Sequence, residues 1–539
     1  MNVSTIQSIY FVGAGGIGMS ALIRYFLSKG KRVGGYDRTA SDLTEQLNRE
    51  GAEIHYEDDV RLIPVYCRLP EETLVVYTPA VPESHAELTW LRANGFEIVK
   101  RARVLGEITR HARGLCIAGT HGKTTVSSMT AWLLKQSRVD CNAFLGGILK
   151  NGNSNLMLSA DSDLTVIEAD EFDRSFHWLT PYMAVVTAAD PDHLDIYGTA
   201  EAYRESFEKF TSLIRPGGCL LMRKGIDLLP QLGQEVSLYT YSADEGGDFH
   251  AENVRIGNGE IVFDFVGLDI RIPDIRLGVP VRVNVENGVA AIALAWLNGV
   301  TPEEIRQAMA SFAGARRRFD FLLKRDDIVL IDDYAHHPAE LRASILSVKE
   351  LYAGRKVTGI FQPHLYTRTR DFAADFAESL SLLDELILLD IYPAREEPIE
   401  GVTSRIIFDK VALEKKILCS KEELLEVVRK GRFEVILMAG AGDIDRLTEP
   451  IKRILENTLP FPPSPAARRF KDLRGVACPM NFVHTKIQLS AMQSGEELEI
   501  LLDDGQPINN VTRSVLSEGH QVLEQNPIDT YWKVIIKKG

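Results

Sequence analysis

The stretch from Leu115 to Thr125, LCIAGTHGKTT, constrains this chain more than any other. Leu115 to Ala118 read as a short buried strand, Gly119 to Thr125 as a tight turn, and Val126, Met129, Trp132 and Leu133 as the apolar positions of a helix. A strand, a glycine turn and a helix start make an anion site. The first backbone N–H groups of a helix have no partner within it and carry partial positive charge. Gly119 and Gly122 let the backbone approach a phosphate, Lys123 adds a full charge, and the hydroxyl of Thr124 can ligate Mg2+. The pattern is the short GxxGK[ST]; the longer phosphate-loop pattern needs a glycine where Ile117 stands.

A second glycine turn lies near the start. Ser8 to Val12 predict a strand, Gly13, Gly15, Gly16, Ile17 and Gly18 lie in a GxGxxG turn, and a helix runs from Met19 to Leu27. A further strand ends at Asp37, where a dinucleotide fold places its ribose-binding acid. NAD fits this pattern, and so does the diphosphate of a nucleotide sugar, because the loop reads phosphate and the chain shows no hydride-transfer constellation. Strands at Thr73 to Tyr77 and Glu97 to Val99 complete a small α/β domain ending near Thr109.

Further strands end in polar clusters. Leu164 to Ile167 deliver Glu168-Ala-Asp-Glu171, and Ala184 to Thr187 lead into Asp190-Pro-Asp192-His193. Ligands of parallel α/β sheets sit at the carboxyl ends of strands, so Thr124, Glu168 and His193 are expected to converge. Glu168 suits Mg2+; a lone histidine such as His193 also reads as a capping residue. The helix from Asn284 to Trp296 carries Val289, Ile292, Ala293 and Trp296 on one face. Arg316-Arg317-Arg318 reads either as solvated surface or as a clamp on nucleotide phosphates. Beyond it, four strands run into Asp332-Asp333-Tyr334-Ala-His336, Gln362-Pro-His364-Leu-Tyr366-Thr-Arg368, Asp390-Ile-Tyr392 and Gly440-Ala-Gly442-Asp443. Four such clusters on one sheet predict a lined cleft.

At 539 residues, three to four domains are expected. The net charge of −14 argues against a nucleic-acid-binding body. The six cysteines are scattered with no CxxC pair, no apolar run reaches a membrane span of about eighteen residues, and no basic leader opens the chain, so a cytoplasmic protein without a membrane partner is expected. A proline-rich linker at 460–467 precedes a tail read as strand, helix, strand, helix and two strands, a two-layer α/β module.

GAGGIGMS, GTHGKTT, EADE with DHLDIY, RRRFD, DDYAHHP, FQPHLYTRTRDF, LLDIYPAREEPIEGV and MAGAGDID together resemble the Mur ligases, the ATP-dependent amino-acid ligases of peptidoglycan synthesis. The combination of FQPHLYTRT with DDYAHHP is most similar to the member that joins L-alanine to UDP-N-acetylmuramate; the ligase that recycles a preformed tripeptide is the alternative. The resemblance implies an α/β three-domain fold, with a Rossmann-like UDP-sugar-binding domain at 1–109, a P-loop ATPase domain at 110–317 and a Rossmann-like amino-acid-binding domain at 318–459. It assigns Gly13, Gly15, Gly16, Ile17, Gly18 and Asp37 to the UDP-sugar, which replaces NAD. Gly119, Thr120, His121, Gly122, Lys123, Thr124 and Thr125 go to ATP, with Asn287 at the adenine and Arg317 and Asp333 across the cleft. Thr124, Glu168 and His193 are the implied Mg2+ ligands. Tyr334, His336, His364, Tyr366 and Arg368 would line the pocket for alanine and the muramate carboxylate, and Lys123, Glu168, His193, His336 and Arg368 would carry the chemistry. Val283-Asn284 departs from the usual His-Asn, Leu365 from an arginine, and Phe207 stands where sister ligases place a carbamylated lysine.

The tail, 468–539, resembles TusA-like sulfur carriers through Asp472-Leu-Arg-Gly475, Cys478-Pro479, Thr485-Lys486, Gly495-Glu496 and Asp503-Asp504. Asn481 replaces a second proline. Cys478 is expected to begin a helix whose dipole favours a persulfide-bearing thiolate, implying a sulfur-donor protein as partner. A sulfur-relay protein with a nucleotide-binding scaffold is the remaining alternative.

Overall fold

The computed structural model describes residues 6–539 except 79, 80, 83, 193, 245, 258, 395, 459–468, 493 and 529. It divides into two compact units. The first takes the chain up to Val254 with Val262–Gly278 and Asn284–Arg316; the second takes Arg255–Ile261, Val279–Val283 and Arg317–Gly539.

The first unit holds two sheets. One has five parallel strands in the order Glu53–His55, Arg32–Tyr36, Ser8–Val12, Thr73–Tyr77, Glu97–Lys100. Its central strand, SIYFV, is buried end to end, as parallel strands covered on both faces are. The strand order reverses on either side of Ser8–Val12, and the glycine turn leaves its carboxyl end at that switch point. The other sheet has ten strands, with Arg113–Ala118 paired in parallel to Pro181–Val186 on one side and Leu164–Glu168 on the other. Ala118 lies opposite Val186 and Ile117 opposite Glu168, so this register alone brings Gly119, Thr187 and Glu168 to one edge.

Several elements differ from the sequence reading. Asn142–Leu149, Ser154–Met157 and Ser237–Ser242 are strands without the unbroken apolar run that marks a buried one; Ser237–Ser242 is partly buried, with Tyr241 its enclosed residue. The Val283–Leu297 helix is buried nearly all round, and Trp296 lies outside that buried set, so it carries no single apolar face.

The second unit also holds two sheets. Six strands run in the order Asp320–Lys324, Val329–Asp333, Val435–Ala439, Val357–Phe361, Glu385–Leu389, Lys416–Cys419, all parallel except the first. Asp333 and Phe361 both register with Ala439, which sets three of the polar clusters side by side. The tail forms its own sheet in the order Arg469–Asp472, Glu497–Asp503, Tyr531–Lys537, Gln521–Ile528, with helices Met480–Ser490 and Gln506–Ser517. Alternate strand residues Leu498, Ile500, Leu502, Val534 and Ile536 form one core with Leu489, Ile508, Val511 and Val515 of those helices. The stretch 460–467 lies outside the described residues. Among the described residues no helix is long and apolar enough to cross a membrane.

Candidate functional site

The turn after Arg113–Ala118 depends on glycine. Gly119 has φ +141° and Gly122 φ +82°, and a Cβ on Gly119 would lie 2.0 Å from the Thr187 hydroxyl oxygen. Thr120 N–H donates to Ala188 O at 3.2 Å, Thr187 N–H to Ala118 O at 3.0 Å, and the Thr187 hydroxyl to His121 O, so the neighbouring strand moulds the loop. The Thr120 hydroxyl donates to Asp190 O at 2.8 Å and meets the Tyr203 hydroxyl at 3.0 Å. The Lys123–Lys135 helix starts at Gly122 with no side-chain cap and no acid in its first turn, which leaves its positive end open to an anion. Thr125 stands half-buried in that turn.

Four side chains converge beneath this helix start. Lys123 Nζ donates to Gly119 O at 2.6 Å and to Glu171 Oε1 at 2.8 Å. The Thr124 hydroxyl donates to Glu168 Oε1 at 3.1 Å, and Gly146 N–H holds Glu168 Oε2 at 3.2 Å. Glu171 is almost wholly buried, and that burial pushes its carboxyl pKa up against the opposing pull of Lys123. Asn287 stands beside Gly122, its Oδ1 3.0 Å from where a Cβ there would be, and its amide donates to Asn284 Oδ1 at 3.0 Å. His193 lies outside the described residues. Thr124 and Glu168 offer adjacent hard oxygen ligands of the kind Mg2+ takes, and the uncapped helix with its lysine fits a polyphosphate. Phe207 is fully buried against Phe176 and Tyr203, with centroids 5.2 Å away in each case, so that position carries packing and no carboxylate.

The first glycine turn is held differently. Gly13 and Ala14 N–H both donate to Tyr36 O at 2.8 Å, and Gly15 N–H donates to Asp37 Oδ2 at 2.6 Å. Asp37 also accepts from Thr39 N–H at 3.1 Å, so its carboxylate buttresses the loop from the next strand. The Ile17–Ser28 helix begins at Gly16 with no side-chain cap and no acid in its first turn. Asn155, on the Ser154–Met157 strand, ties the ten-stranded sheet to this helix, donating to Ser20 Oγ at 3.0 Å and accepting from Arg24 at 2.9 Å.

In the second unit, Arg317 adopts φ +59° and Leu365 φ +69°, conformations that cost a non-glycine residue about 1 kcal/mol or more. Each is held by its surroundings. Arg317 O accepts from Tyr334 N–H at 2.8 Å, and its guanidinium donates to Gly440 O at 2.5 Å. Leu365 N–H donates to Tyr392 O at 3.0 Å, and Leu365 O accepts from Thr369. The Tyr334 ring has Arg317 at 5.0 Å and Arg318 at 5.2 Å. His336 meets Tyr334 edge-on at 5.2 Å and His364 at 6.0 Å, and Arg368 lies 3.4 Å from His364 Nδ1. Burial lowers the His336 pKa, with Glu340 opposing. Tyr366 opens the Tyr366–Asp371 helix.

Of the two aspartates, Asp333 is enclosed. It accepts from the Ser344 hydroxyl and from Phe319 N–H at 3.2 Å, and burial raises its pKa. Asp332, which the sequence reading did not single out, lies 3.6 Å from Arg317 Nε. Burial pushes its pKa up to about 7, and among the described residues Oδ1 has no hydrogen-bond partner. Glu171 was likewise missed as the lysine's partner, although it closes the EADE motif.

The profile of the Mur ligase family catalytic domain matches residues 8–113, that of the middle domain 117–295, that of the glutamate ligase domain 317–442, and that of sulfurtransferase TusA 469–538. A UDP-N-acetylmuramate–L-alanine ligase of Parabacteroides distasonis is 76% identical over 455 residues, covering 84% of this chain and 98% of that protein. The chain belongs to the UDP-N-acetylmuramate–L-alanine ligase family. A member from Phocaeicola vulgatus is 64% identical over 457 residues, 84% of this chain and 99% of its own length. The crystal structure of the UDP-N-acetylmuramate-alanine ligase of Thermotoga maritima superposes with a TM-score of 0.71 at 28% identity, covering 84% of this chain and all of that one. A murein peptide ligase from Psychrobacter arcticus shares the fold, with a TM-score of 0.58 at 20% identity over 84% of this chain and all of that one.

Proposed function

We propose that this chain joins L-alanine to the carboxylate of UDP-N-acetylmuramate with ATP, giving ADP, phosphate and UDP-N-acetylmuramoyl-L-alanine for peptidoglycan synthesis in the cytoplasm. The observation that carries this reading is the convergence of Lys123, Thr124 and Glu168 at an uncapped helix start, in a chain 76% identical to a ligase of that name. A carboxylate is a poor electrophile toward an amine, so it is first phosphorylated to an acyl phosphate. Lys123 and the first-turn N–H groups hold the transferring phosphoryl group and offset its charge. Thr124, Glu168 and His193 would hold Mg2+, which neutralises phosphate charge when bound. Asn287, beside Gly122 of the loop, is assigned to the adenine. Arg317, Asp333, Tyr334, His336, His364, Tyr366 and Arg368 of the second unit are assigned to nucleotide, alanine and muramate carboxylate. The test is phosphate release with ATP, UDP-N-acetylmuramate and alanine, glycine, serine or a preformed tripeptide in turn. Turnover with the tripeptide alone would replace this reading by that of a recycling ligase.

For the tail we propose sulfur carriage on Cys478. It is the exposed cysteine, the other five being buried. The helix starts at Met480 with Pro479 as its N-cap, so Cys478 precedes the helix and does not open it. Asn481 and Asn510 point amide groups at its sulfur from 3.2 and 3.7 Å. The thiolate would attack the outer sulfur of a donor protein's persulfide. A new S–S bond forms at Cys478 as the donor's S–S bond breaks, and the donor leaves as a thiolate. Mass-shifted Cys478 after incubation with a persulfide donor, absent in Cys478→Ser, is the expected result.

A further inference from the structure

Arg101 directly follows the Glu97–Lys100 strand. It opens the Arg101–Arg110 helix, yet its guanidinium lies across the first turn of the Ile17–Ser28 helix. A Cβ on Gly18 would stand 2.2 Å from Arg101 Nη1 and 2.9 Å from Cζ. The last glycine of the GAGGIG turn therefore makes room for this side chain. Arg101 lines a cleft of about 140 Å³ with Ile17, Gly18, Gly146, Glu168 and Asp170. That cleft joins the first glycine turn to the Glu168 carboxylate. Its volume is well below the roughly 300 Å³ of a whole-ligand pocket, so it takes one end of a substrate.

The guanidinium is largely unspent. An arginine offers five N–H donors in a planar fork. Among the described residues Arg101 makes one hydrogen bond, to Asp170 Oδ2 at 3.4 Å. Arg24, on the same Ile17–Ser28 helix, shows what a structural arginine looks like here, with bonds of 2.7 and 3.1 Å to Glu50 and 2.9 Å to Asn155. The neighbouring Lys100 is taken up by Asp173. Arg101 is thus a fixed cation beside an uncapped helix start, three-quarters buried at its side chain, with donors to give.

We propose that Arg101 is a substrate-binding residue whose guanidinium takes an oxyanion of the UDP-sugar at the first turn of the Ile17–Ser28 helix, and that position 18 is glycine to admit it. This rests on the UDP-sugar reading above. Two groups of that substrate share the chemistry, the diphosphate and the muramate carboxylate, and a planar fork suits either.

Calorimetric titration of wild type, Arg101→Ala, Arg101→Lys and Gly18→Ala with UDP-N-acetylmuramate and UDP-N-acetylglucosamine tests it, the second sugar having the diphosphate but no carboxylate. Arg101→Ala is expected to raise the dissociation constant for UDP-N-acetylmuramate by about tenfold or more, the scale of a lost charge-assisted pair. Arg101→Lys recovers part of this, and Gly18→Ala, which displaces the guanidinium, matches Arg101→Ala. The KM for ATP stays unchanged, which a collapse of the fold would not leave so. Equal weakening for both sugars assigns the diphosphate; weakening for the muramate alone assigns the carboxylate. Undiminished binding of both sugars by Arg101→Ala overturns the inference, whereas failure of the wild type to bind either overturns the UDP-sugar reading itself.

Discussion

The turns at Gly13–Gly18 and Gly119–Thr125 both leave the carboxyl end of a parallel strand and open a helix that no side chain caps. They are furnished in opposite ways. The first is braced from beneath by a carboxylate, Asp37 on Gly15 N–H, and contributes no charged side chain of its own. The second carries a lysine and a hydroxyl, each already resting on a glutamate. A loop of bare amides suits a diphosphate that is bound and released unchanged. A loop with a positioned cation and an oxygen ligand suits a phosphoryl group whose charge shifts during reaction. Glu171 and Glu168 hold Lys123 and Thr124 in position without substrate, so little reorganisation is left for the reaction itself.

The hardest blow to this contrast is Lys123→Ala. It is expected to lower alanine-dependent phosphate release by about a thousandfold or more, the scale of losing a charge at a phosphoryl transfer site, while UDP-sugar affinity stays near wild type. Comparable turnover would erase the distinction between the loops. Glu171→Gln keeps the shape but loosens the lysine, and a fall of about tenfold to a hundredfold in kcat is expected, as for a displaced catalytic group. Asp37→Asn sharpens the other side. It weakens the brace on Gly15 and should raise the KM for the UDP-sugar by about tenfold with the KM for ATP unchanged, one charge-assisted hydrogen bond being at stake.

The smallest effect concerns pH and compares the two units through a buried acid in each. Glu87 in the first, bonded by the Tyr10 hydroxyl at 2.6 Å, and Asp332 in the second are both pushed up to about 7, chiefly by burial. A carboxyl whose folded pKa is raised binds more protons folded than unfolded between its two pKa values. Each acid therefore makes stability fall as pH rises from about 4 to about 7, and the loss is complete above that. Denaturant titrations at several pH values should show a shallower decline in Asp332→Asn and in Glu87→Gln than in wild type; an unchanged slope would show that the acid ionises without penalty.

Much of the fold is legible because its signals are local. Ser8–Val12, Thr73–Tyr77 and Val357–Phe361 are continuous apolar runs bounded by turn residues, and the structure keeps those limits. Glycine turns announce themselves for the same reason. Ser237–Ser242 escapes because its sequence, SLYTYS, mixes polar and aromatic residues in a partly buried strand and carries no apolar run. The Lys123–Glu171 pair escapes because it joins residues 48 apart in sequence, with Glu171 at the cap of the irregular Phe172–Trp178 turn, where Asp173 and Arg174 take positive φ. The place of Arg101 depends on how two helices cross, which no motif states. The helix start beside Cys478 was displaced by two residues because Pro479 occupies the cap.

The unequal burial of the thiols has a practical consequence. With five of six cysteines enclosed and Cys478 open, a maleimide dye added to the folded, otherwise unmutated protein should attach at one place, on the tail. Such a dye would report the tail's rotational freedom while the ligase body turns over, with no need to strip the other cysteines away.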